Sequence, residues 1–130
     1  MIVGYGIDIM SVERIRQSIA CYEYRFLNRV YTDYEVEFAK KRNRGAYQFY
    51  TVLWAAKEAT MKALGTGARR GVRFKDIEIH HELSGKPFLQ LYGVAKEHSK
   101  RLGADNIVLS MSHLEDIVVA SVILEKTGGI

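Results

Sequence analysis

From Ala46 to Leu64, nineteen consecutive residues contain neither glycine nor proline, and alanine recurs at 55, 56, 59 and 63. Such a run is strongly helix-forming, and Gly65 supplies the left-handed residue that commonly closes a helix. A helix of this length predicts the axis on which a small domain is built. Ala55, Ala59 and Ala63 fall four apart and form one narrow, smooth stripe where another backbone can approach closely. Glu58 and Lys62, also four apart, lie next to that stripe. Taken alone they read as a surface ion pair contributing about 0.2–0.5 kcal/mol.

At 130 residues and 48% hydrophobic content the chain is long enough for one core and short for two. Its net charge of +4 predicts an anionic partner without choosing among nucleic acid, phosphorylated metabolite, acidic protein and membrane surface. Cys21 is the only cysteine, which excludes an intrachain disulfide and a cysteine-based zinc site and suits a reducing compartment. The start, Ile2-Val3-Gly4-Tyr5-Gly6-Ile7, has no basic leader and meets an acid at Asp8, so it reads as neither a signal peptide nor a membrane span. A cytoplasmic protein is the expectation.

Residues 2–10 alternate as a strand does, with Val3, Tyr5, Ile7 and Ile9 on one face and Gly4, Gly6 and Asp8 on the other. The second face has no bulk, so Asp8 is open to a ligand or a backbone, or else caps the following helix. Ser11 is a plausible N-cap for a short amphipathic helix carrying Val12, Ile15 and Ile19, and residues 25–30 suit a further helical turn. Thr32-Asp33-Tyr34-Glu35 fits the capping box and predicts a helix over about 33–42, followed by the basic cluster Lys40, Lys41, Arg42 and Arg44. After Gly65 the glycine-rich segment to Gly71, with Arg69 and Arg70, reads as a mobile loop lacking the Walker order.

Two strands around Ile77–Ile79 and Phe88–Leu91, joined through Ser84-Gly85-Lys86-Pro87, predict a hairpin with His80 and His81 at a strand end. Residues 93–102 suggest a helix with Val94, Ala95, His98 and Leu102 inward, and 107–112 and 117–124 suggest two more strands. The last is apolar almost throughout and belongs at the centre of a sheet or at an interface. The order predicts an α+β fold: one domain over 1–126, an antiparallel sheet packed with a long central helix and several shorter ones, and a short flexible tail at 127–130.

Gly6-Ile7-Asp8-Ile9, Trp54-Ala55-Ala56-Lys57-Glu58-Ala59 followed by Lys62-Ala63-Leu64-Gly65-Thr66-Gly67, Gly85-Lys86-Pro87 and Ser110-Met111-Ser112-His113 together resemble the holo-acyl-carrier-protein synthases, a group of 4'-phosphopantetheinyl transferases. The resemblance covers essentially the whole chain in order. It implies the 4'-phosphopantetheinyl transferase fold and transfer of the phosphopantetheine arm of coenzyme A to a serine of an apo acyl carrier protein. Adenosine 3',5'-bisphosphate would be released, in the service of fatty acid biosynthesis. It further implies Mg²⁺ held by Asp8 and Glu58, which agrees with magnesium's preference for one or two carboxylates completed by water and phosphate oxygens.

By the same resemblance Lys62 holds the pyrophosphate and stabilises the leaving phosphate, while the proton of the serine goes to Glu58 or to a metal-bound water. Gly65 and Gly67 let the chain turn close to the coenzyme. Ser112 and His113 contact the nucleotide end near its 3'-phosphate, helped by basic residues of the 41–44 cluster, Arg44 among them. Arg14, Arg16, Arg25 and Arg29 face the acidic carrier. Family members are commonly homotrimers, and the apolar last strand and the alanine stripe suit subunit packing. Trp54 departs from a frequent phenylalanine, and Arg69-Arg70 has no assigned role.

Other readings of the residues are weaker. Arginines with eight tyrosines suggest a single-stranded nucleic-acid binder, but the aromatics do not cluster with the bases and Asp8 and Glu58 are left without a task. A coenzyme A-dependent acyltransferase needs no paired carboxylates. A Ser112-His113 nucleophilic pair fails because neighbours along a strand point to opposite faces. Neither nucleic acid nor membrane is therefore expected as a partner.

Overall fold

The computed structural model describes residues 1–128. In chain order its elements are β1 (Ile2–Ser11), α1 (Val12–Tyr22), α2 (Tyr24–Val30), α3 (Asp33–Lys40), α4 (Ala46–Leu64), β2 (Ile77–His81), β3 (Pro87–Leu91), α5 (Gly93–Arg101), β4 (Asn106–His113) and β5 (Ile117–Glu125). Single 3₁₀ turns at Asn43–Gly45 and Phe74–Asp76 join them. α4 has the predicted bounds and ends on Gly65 at φ 78°, whose N–H donates back to the carbonyls of Lys62 and Met61. Most of its residues are buried, so packing on all sides reinforces its propensity. Its buried hydroxyls are satisfied within the helix: Thr51 donates to the Tyr47 carbonyl and Thr60 to that of Ala56.

Two antiparallel sheets surround this helix. β5 is the centre of a three-stranded sheet ordered β1-β5-β4, and β2 and β3 form a separate hairpin. The inner face of β5, made by Val118, Ala120, Val122 and Leu124, is buried. In register beside it on β1 stand Met10, Asp8, Gly6 and Gly4, so the face of β1 turned toward α4 is the one without bulk. Tyr5, Ile7 and Ile9 point the other way and are exposed.

The reason is steric. A Cβ built on Gly6 would sit 1.9 Å from the Ala59 carbonyl oxygen, and one on Gly4 would sit 2.3 Å from that of Ala63. The bare strand face and the alanine stripe are the two sides of one contact inside the chain. The stripe, expected to suit subunit packing, is instead consumed by β1: Ala55 and Ala59 are fully buried and Ala63 nearly so.

A polar contact fixes the opposite side of α4. Lys57 and Glu35 are both fully buried, with Nζ 2.7 Å from Oε1. The Lys57 ammonium also donates to the carbonyls of Phe74 and Ile77, while Glu35 accepts from the N–H groups of Thr32 and Ile79, each at 2.9 Å. The capping box is present as predicted, but its glutamate is a core residue tying α3, α4 and β2 together. Burial pulls the Lys57 pKa down and the Glu35 carboxylate opposes that shift. Removing one partner of such a pair costs about 3–5 kcal/mol, because the other charge stays buried and unpaired.

Smaller differences from expectation have local causes. α3 stops at Lys40, and its chain turns through the 3₁₀ segment rather than reaching 42. On α5 the buried positions are Ala95 and Ser99, while Leu102 is exposed. Thr127 and Gly128, expected in a flexible tail, are tied down by Asp105, which accepts from both N–H groups and from the Thr127 hydroxyl. Residues 129–130 of that tail lie outside the described residues.

Gly6→Ala is therefore expected to lower unfolding free energy by about 3 kcal/mol or more, since the clash is with backbone that cannot rotate away. Gly45→Ala, where an added Cβ meets nothing within 4 Å, is expected to be neutral within about 0.5 kcal/mol. Urea unfolding measures both, and equal midpoints for Gly6→Ala and the parent would contradict the contact.

Candidate active site

The close contact sets the position of Asp8. Two strand residues advance about 6.6 Å and four helical residues about 6.0 Å, so a strand stepping 4, 6, 8 stays in phase with a helix stepping 63, 59, 55. Gly4 lies against Ala63 and Gly6 against Ala59, which carries Asp8 to the level where Glu58 and Lys62 flank the stripe. Its cross-strand neighbour, Ala120, is small and leaves that corner open. Helical side chains lean toward the N-terminus, so Lys62 reaches back over the turn occupied by Glu58.

Lys62 does not pair with Glu58. Its ammonium donates to Asp8 Oδ1 at 3.1 Å and to the Ile7 carbonyl at 2.9 Å, and its side chain is 51% exposed. The i,i+4 ion pair suggested by spacing is replaced by one joining residues 54 positions apart. The second carboxylate oxygen, Asp8 Oδ2, is buried with no hydrogen-bond partner. Glu58 is half-buried; burial raises its pKa above the ordinary carboxylate value, the Asp8 charge adds to the rise, and Lys62 works against it.

An unsatisfied buried carboxylate oxygen beside a second carboxylate is a site short of positive charge. The donors are hard oxygens, which suits Mg²⁺. Among the described residues no cluster of three or more His, Cys, Asp or Glu exists to complete an all-protein cage. The pair fits a cation whose remaining positions are filled by water and by phosphate oxygens of a substrate.

A cavity of about 280 Å³ is lined by Arg42, Gly45, Gln48, Phe49, Val52, His81, Gly85, Pro87, Met111 and His113. It joins the N-terminal half of α4 to the β2–β3 hairpin and the end of β4. His113 is one of its lining residues. Ser112, between Met111 and His113 on β4, pairs with Val119 and faces the other side of the sheet. Arg44 does not line this cavity either. Arg42 does, with its guanidinium 4.5 Å from the centre of the Phe49 ring and 5.2 Å from that of Phe38.

Of the docking arginines, Arg25 and Arg29 line a groove between α1 and α2 with Ser18, Tyr22, Tyr24, Phe26 and Asn28. Arg14 and Arg16 lie on the exposed side of α1, where Arg16 stands 3.7 Å from Glu13. Gly65 and Gly67 take positive φ, and no protein atom approaches their Cβ positions. Trp54 packs as expected, stacked between Phe26 and Phe74 at 5.9 and 4.7 Å.

Sequence reasoning missed the Lys57–Glu35 lock and the places of Phe49 and His81 in this cavity, whereas Arg42 belongs to the basic cluster it had singled out. The first had a signal in the capping-box glutamate and in Lys57 beside Glu58. The others come together only in three dimensions.

The strained charge of Glu58 is measurable. A carboxyl whose folded pKa is raised contributes stability at low pH that is lost as pH rises through that folded value. In metal-free buffer with chelator, Glu58→Gln is thus expected to be more stable than the parent at neutral pH, the gap closing below the ordinary glutamate pKa. Thermal unfolding across pH 4–8 checks this, and a neutral-pH loss of stability in the variant would contradict it.

Sequence and fold both have relatives of known family. Residues 4–121 match the family model of the 4'-phosphopantetheinyl transferase superfamily. A holo-[acyl-carrier-protein] synthase of Solibacter usitatus is 45% identical over 126 residues, spanning 97% of this chain and 100% of that protein. The crystal structure of holo-[acyl-carrier-protein] synthase from Neisseria meningitidis superposes with TM-score 0.87 at 37% identity, over 97% of this chain and 100% of the other. That of Bacillus anthracis, in complex with CoA (3',5'-ADP), gives 0.82 at 35% identity over 98% and 99%. The chain, which sets Asp8 of β1 against Glu58 and Lys62 of the buried helix α4 and is similar over nearly its whole length to these proteins, belongs to the 4'-phosphopantetheinyl transferase superfamily.

Proposed function

We propose that the protein transfers the 4'-phosphopantetheine arm of coenzyme A to a serine of an apo acyl carrier protein, with Mg²⁺ as cofactor, and so serves fatty acid biosynthesis. The observation that carries this reading is the unpartnered Oδ2 of Asp8 beside Glu58, with Lys62 over both. It is supported by the family and by a relative solved with coenzyme A.

The serine oxygen attacks the β-phosphorus of coenzyme A and forms a new P–O bond. The bond from that phosphorus to the oxygen bridging it to the nucleotide phosphate breaks, and its electron pair leaves on adenosine 3',5'-bisphosphate. When bound between Asp8 and Glu58, Mg²⁺ supplies Lewis-acid neutralisation of the phosphoryl oxygens. The protein's share is positioning and charge. Lys62 donates to the pyrophosphate and stabilises the charge on the departing phosphate. Glu58 accepts the serine proton, directly or through a water. Arg42 and His113 meet the 3'-phosphate end, Phe49 and Pro87 give the base a flat apolar wall, and Gly65 and Gly67 keep the turn beside the arm free of side chains. Arg14, Arg16, Arg25 and Arg29 meet the acidic carrier and speed its approach.

A homotrimer is the proposed assembly. Tyr5, Ile7, Ile9, Val108 and Ile117 are exposed on the outer face of the three-stranded sheet, and such an apolar face favours association between subunits. Among the described residues no helix is long and apolar enough to cross a membrane; the cytoplasm is the proposed compartment.

Incubation with coenzyme A, Mg²⁺ and apo carrier is expected to add one phosphopantetheine to the carrier's intact mass. Asp8→Ala and Glu58→Ala are expected to abolish the gain while remaining folded, and Arg14→Glu to raise the carrier KM in a salt-dependent way. Absence of any mass gain with several carriers sinks the transferase reading. Light scattering should give three times the chain mass; a monomer would remove the trimer.

A further inference from the structure

Lys62 sits in an unusual place for a residue whose task is to bind phosphate. Its ammonium lies between Asp8 Oδ1 and the Ile7 carbonyl, making the hydrogen bonds a cation makes, with Glu58 near enough to feel its charge. The reach is awkward for a casual surface pair, since the partners come from different elements 54 residues apart and Asp8 is only 15% exposed. Two carboxylates share this corner, one with a buried and unpartnered oxygen, so the corner needs a positive charge at all times.

We propose that Lys62 is the resident counter-cation of the Asp8–Glu58 pair, held there until the coenzyme's pyrophosphate draws it off, so that the divalent cation binds tightly only together with the coenzyme. This rests on reading Asp8 and Glu58 as cation ligands. While Lys62 bonds Asp8, a free divalent ion must either displace it or bind beside an ammonium; both weaken binding. The pyrophosphate offers Lys62 new acceptors of higher charge and offers the ion its missing oxygens. Each ligand thereby strengthens the other's binding, and linkage makes the effect reciprocal. The arrangement also keeps the carboxylates compensated between turnovers.

The test measures Mn²⁺ affinity by electron paramagnetic resonance, using Mn²⁺ as the probe, on the full chain without coenzyme. Lys62→Met retains the length of the side chain without the charge, and a side chain half in solvent leaves the fold independent of it. Lys62→Met is expected to bind Mn²⁺ alone about 10-fold tighter than the parent, within the usual range of coupling between sites. Lys62→Arg, which keeps the charge, is expected to stay as weak as the parent. Coenzyme A should tighten Mn²⁺ binding in the parent and much less in Lys62→Met. Unchanged or weaker Mn²⁺ affinity in Lys62→Met overturns the inference, as does equal tightening in Lys62→Arg. The arm without coenzyme separates this outcome from the transferase reading: a parent that modifies its carrier while Lys62→Met gains no Mn²⁺ affinity refutes only the counter-cation role.

Discussion

The approach of β1 to α4 is the constraint on which the rest of the structure depends. Strand and helix meet backbone to backbone because Gly4 and Gly6 have no side chain to hold them apart and because Ala59 and Ala63 present only methyl groups. The contact is closer than any pair of ordinary side chains permits, and it locks the phase between a two-residue and a four-residue repeat. Asp8 is thus delivered beside Glu58 without a loop, from two rigid elements. Carboxylates proposed to share one ion are held more closely on such elements than on segments that breathe.

A second lock acts on the other face of the helix. Lys57 and Glu58 are adjacent in sequence and opposite in fate: Lys57 turns inward to a buried ion pair with Glu35, and Glu58 turns outward to the site. Adjacent helical positions differ by about 100° around the axis, so holding one fixes the direction of the other. A buried ion pair is seldom a net source of stability, but it is intolerant of alternative registers. Here it pins the rotation of α4, while the glycines pin its distance from the sheet.

Much of this was legible in the residues and some was not. The long helix, the bare strand face and the smooth stripe were each readable, yet a pattern within one segment does not say which other segment it meets. The stripe therefore read as equally suited to a neighbouring subunit. The alternation of β1 was plain, but its orientation runs against the usual rule: the apolar side chains face outward and the glycines inward, because the helix leaves no room for anything larger. The Glu58–Lys62 spacing predicted a pair that does not form, since Asp8, invisible to a local reading, is a better partner. Arg42 rather than Arg44 lines the cavity beside α4, where the chain turns through a 3₁₀ segment after α3, and sequence carries little signal for such a turn.

The corner holding Asp8 and Glu58 concentrates negative charge: Lys62 bonds one Asp8 oxygen, the other is buried without a hydrogen-bond partner, and burial beside Asp8 raises the Glu58 pKa. An unpartnered buried oxygen of this kind is what the proposed cation site would use. The most direct test is an anomalous difference map from crystals grown with Mn²⁺ and coenzyme A. The predicted result is one strong peak at the Asp8–Glu58 pair, with Lys62 released from Asp8. A peak held by other residues, or none at the carboxylate pair, would contradict it.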